Sequence, residues 1–67
     1  MKVKEIMDLV KTEMKEHKIT QEEIADKLDS SQGMISNWLN GRFEPQLYNL
    51  ERLLNAVGYE IKIVKIK

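Results

Sequence analysis

Between Thr20 and Gly41 the chain reads TQEEIADKLDSSQGMISNWLNG, two short amphipathic segments parted by a few small polar residues, and no other stretch constrains the fold as strongly. Thr20 and Glu23 stand three apart, the spacing at which a threonine oxygen takes a free first-turn amide while the glutamate reaches back to the cap. That pair predicts a helix start. Ile24, Ala25 and Leu28 share one face at helical spacing, and Asp29-Ser30-Ser31 stops the run and supplies a new capping serine. A second helix follows at once, with Ile35, Trp38 and Leu39 inward and Ser31, Gln32, Gly33, Ser36 and Asn37 on the other side. Asn40-Gly41 closes it.

The flanks read just as plainly. Val3, Ile6 or Met7, Val10 and Met14 recur at steps of three and four, which predicts an amphipathic helix over about 2–17. Lys18 and Ile19 link it to the capped segment, with Ile19 as the apolar residue just before the cap. After the loop from Gly41 to Glu44, Pro45 suits the first position of a fourth helix, because it lacks the amide that would go unpaired there. Leu47, Leu50, Leu53, Leu54 and Val57 would form its inner face, and Gly58 its end. The four helices are therefore expected over about 2–17, 20–28, 31–40 and 45–57, within a helical domain 1–58. Residues 59–67 alternate apolar and charged side chains, the period of a half-buried strand. No second strand exists in the chain to pair with it. The same strand from a second copy, antiparallel across a two-fold axis, is the simplest partner. A homodimer is expected through Tyr59, Ile61, Ile63, Val64 and Ile66, with a bulge where the alternation slips at Ile63-Val64.

Sixty-seven residues lie near the lower size at which an unstapled chain folds alone, so burial between two copies would help. Cysteine is absent, which removes disulfides and thiolate zinc sites and suits a reducing cytosol. Apolar runs of two or three residues leave no membrane span, and no secretory leader is read at the start. A cytoplasmic protein is expected.

The stretch Thr20, Gln21, Ile24, Ala25, Leu28, Ser31, Gln32, Ile35, Ser36, Trp38, Asn40, Gly41 resembles the helix-turn-helix of the phage repressor and Cro (XRE-type) superfamily. Pro45, Leu47, Leu50, Leu53, Val57 and Gly58 extend the likeness through a fourth helix, so that it covers about Ile6 to Gly58. Asp29 departs from the pattern, since the family usually has glycine there in a left-handed turn that aspartate tolerates at a small cost. The resemblance implies a mainly α, four-helix repressor-like DNA-binding domain, here with a C-terminal β-strand pairing across a dimer. Small Cro-like and antitoxin-like members also end in such a strand.

The outward face then acquires a meaning. The major groove of B-DNA accepts one helix, and an amide side chain matches adenine with a donor and an acceptor side by side. Gln32, in the first turn of the third helix, is the leading base-contact candidate, followed by Asn37 a turn further along the polar face. Ser31 and Ser36 reach bases or phosphates, Gly33 clears the way, and Met34 meets a thymine methyl or lies at the surface. For the phosphates the candidates are Gln21, which grips the backbone in the family, Arg42 directly after the third helix, and the amides of Gln46 and Leu47. Phe43 and Asn49 are further candidates.

Each residue also has a plainer role. Glutamine or asparagine on a short helix is ordinarily just solvated, and only the ordered motif singles these two out. Thr20 and Ser31 are caps first, Trp38 is in line with the core, and Arg42 has Glu44 within reach as a surface partner. His17 has no clustered ligand partner in this reading, and Glu22 with Asp26 form an acidic solvent face. Tail lysines guard a strand edge.

Formal net charge is zero, where nucleic-acid binders usually carry excess cations. The charges are segregated, however: 31–41 carry none, 20–29 carry four acids against one lysine, and 59–67 three lysines against one acid. Modest nonspecific affinity with a shallow salt dependence follows. The expected function is a sequence-specific, dimeric DNA-binding transcriptional regulator, a repressor that occludes an inverted-repeat operator. One alternative is an antitoxin-type regulator with a toxin or other regulatory protein as partner; another is a protein-interaction module that has lost DNA binding. No cofactor, metal or small-molecule ligand is implied, and an enzyme is not expected, since no nucleophile stands with a base and no closed pocket fits so small a domain.

Overall fold

The computed structural model describes Lys2 to Lys67, and its order is α1 (Val3–His17), α2 (Gln21–Leu28), α3 (Gln32–Leu39) and α4 (Leu47–Ala56). In α1 the three- and four-residue spacing buries Met7, Val10 and Met14, with Val3, Ile6 and Leu9 packed partly against the same core. The outer face carries Asp8 between Lys4 at 3.1 Å and Lys11 at 3.6 Å.

Capping decides where α2 and α3 begin. The Thr20 hydroxyl accepts the Glu23 amide at 3.1 Å while the Glu23 carboxylate accepts the Thr20 amide at 3.2 Å. Two of the donors that a helix start leaves open are thereby satisfied. Ser31 does the same for α3, its oxygen accepting the Met34 amide at 3.1 Å. Inside, Ile24, Ala25 and Leu28 of α2 meet Ile35, Trp38 and Leu39 of α3 and Leu50, Leu53 and Leu54 of α4 in one apolar cluster. The short second helix is the hub, packed against both α3 and α4, while α1 packs on α3.

All four helices end by the same device. A residue with positive φ reverses the chain at Lys18 (55°), Asp29 (52°), Gly41 (79°) and Gly58 (95°). The next amide then reaches back to a carbonyl of the last turn: Ile19 to Met14 at 2.8 Å, Ser30 to Ala25, Arg42 to Asn37 and Tyr59 to Leu54, each at 2.9 Å. This is the Schellman arrangement, and it fixes the angle at which each helix hands over to the next segment. Asp29 adopts the left-handed conformation that the turn between α2 and α3 requires.

Three expectations need correction. Pro45 is not the first residue of α4: Gln46 is extended (φ −67°, ψ 162°) and serves as the cap, so the helix starts at Leu47. Pro45 is instead buried ahead of the helix. Leu47, expected on the inner face, is 70% exposed in the first turn of the helix. The tail differs as well. Among the described residues none is in a strand; 59–67 leave the helical body, Ile61 partly buried against the core and Ile63 wholly exposed.

Candidate nucleic-acid interface

The outward side of α3 is built by its own two ends. Capping by Ser31 aims the first turn outward, so that Ser31, Gln32, Gly33 and Met34 are exposed, while burial of Ile35, Trp38 and Leu39 pins the opposite side. Gln32 and Asn37 make no side-chain hydrogen bond among the described residues, leaving donor and acceptor of both amides free. Ser31 and Ser36 are partly engaged, the first by the Met34 amide and the second by Asn40 Nδ2 at 3.2 Å. Their hydroxyl protons stay available. The two amides are not equivalent: at 3.6 residues per turn, five residues separate them by about 140° around the axis, so they border the polar face instead of sharing one line on it. Gln32 is exposed and Asn37 half-buried.

No ionisable side chain lies on α3 itself. Arg42 follows it directly, exposed, and forms no ion pair among the described residues, with Glu44 or otherwise. Gln21 is half-buried as the first residue of α2. At α4 the late start moves the free donors: Gln46 offers no side-chain cap, and the Leu47, Tyr48 and Asn49 amides have no acceptor among the described residues, the first helical bond being Leu50 to Gln46 at 2.8 Å. The amide of Leu47 is thus open as expected, and those of Tyr48 and Asn49 are open beside it. Around this end Phe43, Leu47 and Tyr48 are between 59% and 70% exposed. The tail residues Tyr59, Val64 and Ile66 are also exposed.

Sequence reasoning missed Arg52. Its Nη2 donates to the Leu28 carbonyl of α2 at 2.6 Å, and its guanidinium carbon lies 5.2 Å from the centre of the Tyr48 ring. A signal existed: no acid stands three or four residues from Arg52 in sequence, but an aromatic ring stands four before it. His17 is exposed at the end of α1 as expected, but acids do cluster with it: its Nε2 lies 3.5 Å from Glu13 Oε1, and Glu16 brings a third ligating atom within 4.8 Å. Trp38 is buried in line with Ile35, and Glu22 and Asp26 are exposed. Two shallow grooves, of about 290 Å³ beside α1 and Trp38 and about 300 Å³ beside Arg52, are open to solvent.

A capped helix, a left-handed turn and a second capped helix with an uncharged polar outer face define a helix-turn-helix domain of the DNA-binding kind. The family model described as helix-turn-helix matches residues 10–64, and the chain belongs to the XRE-type, Cro-like helix-turn-helix family. That is a family of DNA-binding regulators, as a rule without enzymatic activity. No curated protein and no solved structure matches the chain. Among the described residues no helix is long and apolar enough to cross a membrane.

Proposed function

We propose that this chain is a sequence-specific transcriptional regulator, a repressor that lays α3 in the major groove and occludes a promoter. The observation that carries the reading is the unengaged amide of Gln32 in the first exposed turn of a charge-free helix, with the free guanidinium of Arg42 just beyond it. Gln32 is assigned to adenine, Asn37, Ser31, Ser36 and Gly33 to the neighbouring base edges, and Gln21, Arg42 and the α4 amides around Gln46 and Leu47 to phosphates. In this reading 1–58 form the binding domain, and 59–67 pair with a second copy through Tyr59, Ile61, Ile63, Val64 and Ile66. Two α3 helices about 34 Å apart then match an inverted repeat. Control comes from concentration or from another protein.

The test is selection from a pool of random duplexes, followed by Gln32→Ala and Arg42→Ala. Gln32→Ala is expected to relax discrimination at one base position by about 1–3 kcal/mol; Arg42→Ala to weaken all sequences alike and flatten the salt slope. A folded chain that enriches no duplex ends the reading. The second reading, a protein-interaction module, is favoured by zero net charge together with exposed Phe43, Leu47 and Tyr48. An antitoxin-type regulator carries the same DNA-reading residues and adds a toxin partner.

A further inference from the structure

We propose that Arg52, bonded to the end of α2 and stacked on Tyr48, is the positioning residue that makes base discrimination by α3 possible; the inference rests on the regulator reading above. Helix α2 ends with open carbonyls, and the turn at Asp29 uses those of Ala25 and Asp26. The carbonyl of Leu28, the residue at which the chain leaves α2 for the turn into α3, is taken by Arg52 Nη2 at 2.6 Å from α4. The contact between α2 and α4 is otherwise apolar, made by side chains such as Leu28 and Leu53. Apolar burial is non-directional. A charge-assisted, part-buried hydrogen bond is short and directional, so this one bond sets where α4 sits relative to the turn.

The other side of the guanidinium rests on Tyr48, in the first turn of α4, beside the unsatisfied amides of Leu47 to Asn49. One side chain therefore ties the beginning of α4 to the hinge from which α3 departs. A protein that holds phosphates with one element and reads bases with another needs both in register at once, and supports that slip by about 1 Å lose the geometry. Loss of Arg52 leaves the groups that touch DNA in place but lets their spacing vary. Matched and mismatched duplexes then bind more nearly alike.

The experiment uses the full chain, the duplex selected from the random pool, and the same duplex changed at the one base pair whose discrimination Gln32→Ala relaxes. Affinities are read across a salt series, below the melting temperature of each variant. The wild-type chain is expected to prefer the selected duplex by about tenfold or more, Arg52→Met by less than about threefold with an unchanged salt slope, and Arg52→Lys by an intermediate ratio, since the charge stays while the planar fork is lost. Should Arg52→Met fail to fold, Arg52→Lys carries the test, and full wild-type discrimination in it overturns the proposal. Discrimination kept in a destabilised Arg52→Met makes Arg52 a brace only and overturns it too. So does a salt slope lowered by one phosphate in Arg52→Met, which makes Arg52 a backbone contact. A wild-type chain that enriches no duplex overturns instead the regulator reading beneath this one.

Discussion

The helical body and the tail draw on the same residue types and end in opposite states. From Val3 to Gly58 every apolar stripe finds a neighbour, and Val10, Ile24, Ile35 and Leu53 are fully buried. From Tyr59 onward an equally apolar alternation leaves Ile63, Val64 and Ile66 in solvent. The difference lies in the backbone. A helix satisfies its amides from its own sequence and needs only an apolar neighbour, whereas a strand must borrow its hydrogen bonds from another strand. Beyond Gly58 only Ile61 packs back on the core, and no described residue is in a strand.

Breaking the body gives the largest expected effect. Ile35 is fully buried in the apolar cluster, on a helix packed against α1 and α2, so Ile35→Ala is expected to remove about 2–5 kcal/mol, out of a total of roughly 3–10 kcal/mol for a chain of this length. Thermal unfolding followed by circular dichroism should show a lowered midpoint or a chain already unfolded at 37 °C. Ile63→Ser is the matched control in the tail, and in dilute solution it should leave the midpoint nearly unchanged. An equal loss from both would erase the contrast between body and tail.

Cutting the tail off tests the other side. A chain ending at Gly58 is expected to keep its helical signal, lose a little stability with the packing of Ile61, and no longer self-associate in sedimentation. Should the shortened chain pair as tightly as the full one, the interface lies elsewhere, and the exposed Phe43, Leu47 and Tyr48 become the place to look.

The contrast also explains what could be read from the sequence. Caps are local: Thr20 with Glu23, Ser31, Gly41 and Gly58 mark helix ends through bonds spanning a few residues, and Asp29 fell in the left-handed turn as its position required. The exposure of Ser31, Gln32 and Gly33 opposite Ile35, Trp38 and Leu39 was legible for the same reason, whereas Asn37 is half-buried and about 140° from Gln32 around the axis. Long-range facts were not. The bond from Arg52 to Leu28 spans 24 positions; Tyr48, four residues before, marks Arg52 as a stacked cation, but nothing local marks Leu28 as its acceptor. Leu47 matched the apolar period of α4, yet is exposed, while Pro45 two residues before it is buried. Lys18 carries no mark of its left-handed turn, after which Ile19 packs back on the core.

Within the body, the four helix ends offer a finer comparison. A Cβ at Gly41 or Gly58 would meet no atom within 4 Å, so any penalty for alanine there is backbone strain alone. Gly41→Ala is accordingly expected to cost about 1 kcal/mol. At the two ends without glycine the sign reverses. Asp29→Gly relieves the strain and also removes a carboxylate from the negative end of α2, for a gain of up to about 1 kcal/mol. Lys18→Gly relieves similar strain but loses a cation that suits the end of α1, so its gain should be smaller. Urea midpoints of the three variants rank these effects, and a destabilising Asp29→Gly would mean that its side chain holds the turn by some other bond.

Smallest of all is the charge cluster on the outer face of α1. The hydrogen bond from Lys4 holds the Asp8 carboxyl below its ordinary value of 3.8; slight desolvation opposes this, and the nearby charges of Lys4 and Lys11 add to the lowering. A folded value below the unfolded one means that the native state binds the proton less readily. The resulting stabilisation is complete above the unfolded value and disappears as pH falls through the folded one. Because Asp8 is half-exposed, the effect is small and screened by salt. Asp8→Asn should therefore unfold at slightly lower urea than the wild-type chain at pH 7. The two midpoints should converge near pH 2, and at pH 7 they should also draw together in 1 M salt. A gap that persists in acid would assign the difference to helix packing or propensity, leaving the ion pairs of this face with no share in holding the body together.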